Sequence, residues 1–396
     1  MWKQTLIALV LSLVAAELLL RWVDYPAQPE WGWKWDRSPY VFEDHRATST
    51  LNDFDLRGQP FTTKDDEWVV ALVGDSYIET GHLATEYTPE QLLQHELRND
   101  YGVNAKVYSL ASAGWGLDQQ LLALQQFFDQ GQRADVVIVW LTPINDYWES
   151  TFVDRSVGAE AGPLKPTWFK DPETAEWQWY EPKQSPSKIM QMIQLALNQG
   201  RYGKQGTQEL ALRAQQQALL PSSERQHYAS AAQCQGVVTD QYDMVITAKE
   251  HDQLIAQTHE AFAEGRSHFV PFADPLTPLE QYQVEVHHHL LGQLRDLAQQ
   301  NGAKFAFVTP VGSDLDRTLN KVQCVIDEQG RYVRFDYQSG LRHIWGTELE
   351  AAFLPAQLDS EQSTILSRSD WHLNELGNQL FIQSMAQQMA EHNLLP

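Results

Sequence analysis

Apolar residues gather along this chain in two kinds of run. Those of strand length are continuous: Trp68-Val69-Val70-Ala71-Leu72-Val73, Ala105 to Leu110, Asp135-Val136-Val137-Ile138-Val139-Trp140-Leu141 and Lys304-Phe305-Ala306-Phe307-Val308. Unbroken apolarity, without the alternation of a half-exposed strand, predicts parallel strands covered on both faces. Between them the apolar positions take helical spacing. Thr88-Pro89-Glu90-Gln91 opens a helix with an N-cap threonine, an N1 proline and an acidic first turn, and Leu121, Leu122, Leu124, Phe127 and Phe128 mark another over 117–130. A long helical pattern over 279–300 stops at Gly302, and a last helix runs from Glu375 to about His392. This alternation predicts an α/β fold around a parallel sheet.

Three stretches stand outside the alternation. Residues 24–66 hold Trp31, Trp33, Trp35 and several prolines, and read as an irregular connector packed on or near the domain. From about 147 to 268 an aromatic hairpin pattern at Trp168 to Trp179 precedes a glutamine-rich stretch between Gln191 and Gln235, which we read as a largely helical insertion in one domain over 67–396. A further hairpin is predicted about Glu328-Gln329-Gly330. Residues 1–23 are different again: Lys3 precedes an apolar run from Leu6 to Leu20, interrupted only by Ser12 and Glu17 and closed by Arg21. Such a run is either a signal-peptide core or a membrane anchor. Val14-Ala15-Ala16 has the small residues of a cleavage site, but apolarity resumes at Leu18-Leu19-Leu20 and continues through Trp22-Val23, which favours the uncleaved anchor. An anchor places the rest on the outer side of a cell membrane, and cleavage would make it secreted or periplasmic.

Composition narrows the function. A formal charge of -23 argues against nucleic acid as a partner, because affinity for phosphates is carried by Lys and Arg. Two cysteines, Cys234 and Cys324, lack the spacing of a zinc site or a disulfide-dense scaffold, and leave one disulfide open in an exported chain.

The chemistry concentrates at strand ends, where functional loops of doubly wound sheets gather. Gly74-Asp75-Ser76 follows the first strand, Gly114 the second and Asn145 the third, and Asp370-Trp371-His372 lies in a loop before the last helix. A serine hydroxyl needs a base in hydrogen-bond reach and a third group to orient that base. His372 fits the base and Asp370 the orienting acid. The backbone N–H groups of Ser76 and Gly114 and the side-chain amide of Asn145 are candidate donors to the oxyanion of an acyl-transfer intermediate. The scheme calls for no metal and no cofactor.

In four ordered blocks the chain resembles the SGNH/GDSL hydrolase superfamily: Val73-Gly74-Asp75-Ser76-Tyr77, then Ser109-Leu110-Ala111-Ser112-Ala113-Gly114-Trp115-Gly116, then Pro143-Ile144-Asn145-Asp146, then Asp370-Trp371-His372-Leu373-Asn374-Glu375-Leu376-Gly377. It covers the α/β core from about Glu67 to Asn145 and from Ala303 onward. The resemblance implies a flavodoxin-like three-layer α/β/α fold, a shallow exposed site, and hydrolysis or transfer of ester-linked acyl groups, with acylated cell-envelope glycans as substrates of membrane-tethered members. Two departures stand out. Pro143-Ile144 replaces the glycine that usually precedes the asparagine, and Tyr77 follows the serine.

Among thirteen histidines, His287-His288-His289 is the most conspicuous group, but consecutive helical residues diverge, which predicts a solvated face rather than a metal site. His82 lies close after Ser76 without a neighbouring acid like Asp370. Trp177 and Trp179 share one side of a strand, where hairpin packing is favoured over stacking on a sugar. The leading expectation is a serine esterase that removes acyl groups, acetyl above all, from envelope or extracellular carbohydrate or from small esters. The alternatives are an O-acyltransferase supplied by a membrane acyl-donor partner, and a non-catalytic glycan-binding or assembly scaffold.

Overall fold

A computed structural model describes residues 2–23, 50–142, 146–150, 167–171, 174–180, 185–202, 227–234, 237–238, 272–309, 323–326, 331–367 and 370–396. The chain divides into two compact units, Met1–Lys34 with Arg155–Leu220, and Trp35–Asp154 with Pro221–Pro396. The expected insertion thus contributes to both units. The smaller one opens with helix α1 (Trp2–Trp22), whose 21 residues are long and apolar enough to cross a membrane and include no buried residue. A helix of this length and composition can serve as a signal anchor or a signal peptide.

The larger unit begins its regular structure with β1 (Trp68–Gly74), α2 (Ser76–Glu79), α3 (Pro89–Asn99), β2 (Ala105–Ala111), α4 (Leu117–Asp129), β3 (Val136–Trp140) and α5 (Asp146–Glu149). The smaller unit then supplies β4 (Thr167–Lys170), β5 (Trp177–Tyr180) and α6 (Lys188–Tyr202). Back in the larger unit come β6 (Val237–Val238), α7 (Pro278–Gln300), β7 (Lys304–Val308), β8 (Cys324–Ile326), β9 (Tyr332–Arg334), α8 (Tyr337–Leu349), β10 (Ile365–Ser367), β11 (Asp370–Leu373) and α9 (Glu375–Glu391).

The central sheet is parallel throughout, in the order β2-β1-β3-β7. Its strands are those marked by the continuous apolar runs, and helices explain why no face alternates with water. On one face Val70, Leu72, Ile138 and Trp140 share a core with Leu93 and Leu97 of α3 and with Phe381, Met385 and Met389 of α9. On the other, α4 packs on β1 and β2 and α7 on β7. Each fully buried Val, Leu or Phe here contributes roughly 1.5–3 kcal/mol. The chain passes from β1 to the β2 edge and then returns to β3 on the other side of β1. This reversal opens a crevice at the carboxyl ends of β1 and β3, where such sheets place ligands.

The connector has a definite task over residues 50–66. Strand β2 lies at the sheet edge, and unpaired edge carbonyls invite association with another chain. Asn52 Nδ2 donates to Ser109 O at 2.9 Å and Gln59 Nε2 donates to Val107 O, while the Phe61 ring sits edge-on to Tyr108 and Phe127 with centroids 5.2 Å apart in both cases. Residues 24–49 lie outside the described residues.

Both predicted hairpins form. Trp168 pairs with Trp179 across β4 and β5, and their rings meet edge-on at 5.8 Å, so Trp179 packs within the hairpin. Strands β8 and β9 pair antiparallel with Val325 opposite Val333, and β8 also carries Cys324, whose disulfide to Cys234 closes the pairing that the sequence leaves open. Within the described part of the insertion only α6 is a long helix, and much of the glutamine-rich stretch lies outside the described residues.

Two expectations change. His372 lies not in a loop but in β11, which forms an antiparallel hairpin with β10. The His287-His288-His289 group is not a solvated face: His287 is fully buried, its ring stacked on Tyr147 at 4.4 Å. Helix α7 packs against α4, α5 and α8 as well as β7, so contacts on several sides enclose residues that a single-sided helix would leave wet. Among the described residues no group of three His, Cys, Asp or Glu is arranged to hold a metal ion.

Candidate active site

Strand β1 ends at Gly74 in close quarters, where any side chain would push Ile78 aside. A Cβ there would lie 2.8 Å from Ile78 Cδ1 and 3.3 Å from the Trp140 carbonyl oxygen. Asp75 then caps the one-turn helix α2, its Oδ1 accepting from Tyr77 N at 2.9 Å and from Thr142 Oγ1 at 3.1 Å. The second bond crosses the crevice from β1 to the residue beyond β3, so a fully buried carboxylate ties the two strand ends together. Thr80 ends the turn in the left-handed region at φ 44°, its N–H donating to Ser76 O. Arg57, from the connector, holds this reversal by donating to the carbonyls of Glu79, Thr80 and Leu83.

Ser76 is thereby fixed at the mouth of the crevice. It is half-buried while Asp75 and Tyr77 on either side are buried, and His372, Ala113 and Gly114 share its intermediate exposure. His372 Nε2 lies 2.8 Å from Ser76 Oγ. With the ring hydrogen on Nδ1, this contact has the hydroxyl donating and Nε2 accepting, which is the tautomer a general base requires. Tyr77 lies against the imidazole with centroids 5.0 Å apart. His82, 5.4 Å from the His372 ring, donates from Nε2 to Leu373 O at 3.0 Å, so it braces the strand that carries His372.

Gly114 lies in the turn after β2 with φ 69°, a conformation that a side chain would strain. The turn is fastened from below: Ala113 N donates to Glu79 Oε2 at 2.5 Å. Glu79 sits three residues after Ser76 on α2. One helical turn therefore carries the serine and grips the Gly114 turn. Sequence reasoning passed over Glu79; its signal is an acid set within the otherwise apolar Tyr77-Ile78 turn directly after Ser76.

Two of the expected site residues are less completely placed. Asn145 lies outside the described residues, together with Pro143 and Ile144, but both ends of its loop are secured: Thr142 N donates to Asp146 Oδ2 at 2.5 Å and Asp146 N to Thr142 O at 3.0 Å. Asp370 is placed by its backbone, opposite Ser367 at the start of β11, and its side chain lies outside the described atoms. A separate cavity of about 750 Å³ lies against α3 and α9, lined by Tyr87, Gln91, His95, Arg98 and Ile382. It includes neither Ser76 nor His372, and its lining offers no paired nucleophile and base.

Burial raises the Glu79 carboxyl to about 7, although the Ala113 N–H and the Arg57 guanidinium pull it back toward the charged form. Glu90, buried and accepting from Gln59 N, is also raised to about 7 by burial. A carboxyl raised in the folded state stabilises the fold fully below its unfolded value near 4.5, and that contribution is lost as pH rises through 7. The parent protein is therefore expected to lose stability between about pH 4.5 and 7, by on the order of 3 kcal/mol for each of the two groups. Denaturant titrations of Glu79→Gln across this window are expected to show a shallower decline. An unchanged slope would mean that Glu79 titrates as it does in the unfolded chain.

In comparisons with known proteins, no family model matches the chain and no curated protein matches it.

Proposed function

We propose that the chain is a serine esterase of SGNH type, acting outside the cytoplasm on ester-linked acyl groups of envelope or extracellular carbohydrate. The observation that carries the reading is the 2.8 Å contact between Ser76 Oγ and His372 Nε2 at the carboxyl end of β1. The sheet order 2-1-3-4, counted along its strands in sequence, supports it, since it is the beginning of the flavodoxin-like order. Outside the cytoplasm, the Cys234–Cys324 disulfide and α1 support the location, because disulfides persist in oxidising compartments.

In this mechanism His372 Nε2 takes the Ser76 proton as Oγ attacks the acyl carbon. The tetrahedral oxyanion is held by the N–H groups of Ser76 and Gly114 and the amide of Asn145, with Asp370 stabilising the imidazolium. Collapse expels the sugar alkoxide, which takes the proton from His372, and leaves acyl-Ser76. Water then attacks, giving its proton to His372, and the carboxylic acid departs as Ser76 recovers its hydrogen. A sugar hydroxyl in place of water would make the same site an O-acyltransferase. The membrane-length α1, which would tether the chain to the membrane that holds an acyl donor, is the feature that favours testing this by product analysis with a glycan acceptor.

The direct test is labelling of the full chain with a fluorophosphonate probe followed by peptide mapping. The adduct is expected on Ser76, and His372→Ala is expected to reduce the labelling rate at least about 100-fold. A folded protein that is unlabelled at Ser76 would overturn the reading.

A further inference from the structure

Helix α6 of the smaller unit is built inside out. In α6 the described residues that are buried are Lys188 and Gln191, whereas Met190, Met192, Ile193 and Leu197 are 53%, 39%, 46% and 63% exposed. Residues 190, 193 and 197 recur at the spacing of one helical face. A helix in water turns such a face inward. Here the side chains turned inward are polar, and the backbone at the start of α6 meets the polar interruption of α1: Glu17 Oε1 accepts from Lys188 N at 3.0 Å, and Glu17 Oε2 accepts from Ile189 N at 3.1 Å and from Ser187 Oγ at 2.9 Å. Arg21 completes the joint, paired with Glu17 at 2.8 Å and donating to Pro186 O at 2.5 Å. The Glu17 carboxylate therefore takes up orphan N–H groups at the start of α6, where a helix dipole favours negative charge.

The depth of that joint can be read from α1. Trp2 and Trp22, 73% and 84% exposed, bracket the helix as interfacial aromatics do. Glu17 lies five residues before Trp22, hence about 7 Å below its level at 1.5 Å per residue. Interfacial amphipathic helices bury their apolar face by about 5–10 Å. The 15 residues of α6 extend about 22 Å, short of the ~30 Å hydrocarbon core, so α6 cannot span it.

We propose that α6 is a second membrane-contacting helix, fastened to the α1 anchor by Glu17, with Met190, Ile193 and Leu197 turned into the acyl chains of the bilayer. The proposal is independent of the esterase reading. It accounts for the carboxylate inside an apolar run, and it makes α1 a permanent part of the fold rather than a removable leader.

The test uses the full chain, one copy per nanodisc of phosphatidylethanolamine and phosphatidylglycerol. The native cysteines are joined to each other, so a maleimide-linked environment-sensitive dye reports only an introduced cysteine. With the dye at Ile193→Cys, quenching by doxyl-labelled lipid is expected to exceed quenching by aqueous iodide at least about threefold, and Glu17→Ala is expected to reverse that ratio. Iodide-dominated quenching in the parent would overturn the proposal, as would a ratio that Glu17→Ala leaves unmoved. Shielding from both quenchers only when several copies share a disc would assign the face to a second copy instead, which also overturns it. Dye at Leu11→Cys reports α1 separately: lipid quenching there, with iodide quenching at 193, rejects α6 while leaving the anchor in place.

Discussion

Replacing Ser76 by alanine is expected to lower kcat for acetyl-ester hydrolysis by about 10⁴-fold or more while changing unfolding stability by no more than about 0.5 kcal/mol. The two halves of this expectation come from the same geometry. Ser76 Oγ is half-exposed and bonded to His372, so its loss leaves an accessible imidazole rather than a buried orphan. The turn that presents the serine is built from other groups: the Gly74 constriction, the Asp75 cap, the Thr80 reversal and the Arg57 clamp. His372→Ala is expected to cost a similar factor, and the double variant little more than either single one, because nucleophile and base act as one unit. Kinetics on the full chain with a chain-length series of esters measures all three and shows which acyl length the site prefers. Parent-like turnover by Ser76→Ala would remove the nucleophile from the proposal, whatever the fold.

How much of this could be seen in the sequence depends on what kind of information each feature carries. The four sheet strands were legible because burial on both faces demands uninterrupted apolar side chains, and Val69 to Val73 are all fully buried. The serine turn was legible because Gly74, Asp75 and Ser76 are consecutive and each residue type has a local reason to be there. His372 was legible as a residue but not as part of a strand: β11 is four residues long and exists only through its pairing with β10, which residue order alone does not specify. Glu79 was hidden for a related reason. Its partner Ala113 is 34 positions away, so the acid beside Tyr77 and Ile78 can be seen in the order of residues but what it holds cannot. His287 was misread because periodicity shows which residues share a face, not how many neighbouring elements enclose the helix. The joint between Glu17 and α6 joins residues more than 165 positions apart, and in sequence Glu17 is only a blemish in an apolar run. Asp370 was legible as a neighbour of His372 in sequence, and its backbone stands opposite Ser367 at the start of β11.

Gly377→Ala is expected to destabilise the larger unit by about 3 kcal/mol and, with it, to displace His372. Gly377 lies in the first turn of α9, where an added Cβ would stand 2.2 Å from the backbone oxygen of Thr364, a distance that no rotamer change can relieve. Thr364 is fully buried, and its carbonyl already accepts from Asn374 N at 3.0 Å, while the Asn374 side chain caps α9 by accepting from Gly377 N at 2.9 Å. The same few residues thus close the β10–β11 hairpin and start the helix, so relieving the clash must move the strand that holds the base 2.8 Å from Ser76. Gly292→Ala provides the opposite sign from the same chemical change. Gly292 lies inside α7 with no atom within 4 Å of the Cβ position, and alanine there is expected to stabilise by up to about 1 kcal/mol through helix propensity alone. Chemical denaturation of the two variants, with ester hydrolysis measured on the folded fraction, tests the pair: Gly377→Ala should lose both stability and turnover, and Gly292→Ala neither. A Gly377→Ala protein as stable and active as the parent would mean that the hairpin does not close on α9 in this way, and the contact that carries the esterase reading would lose its structural support.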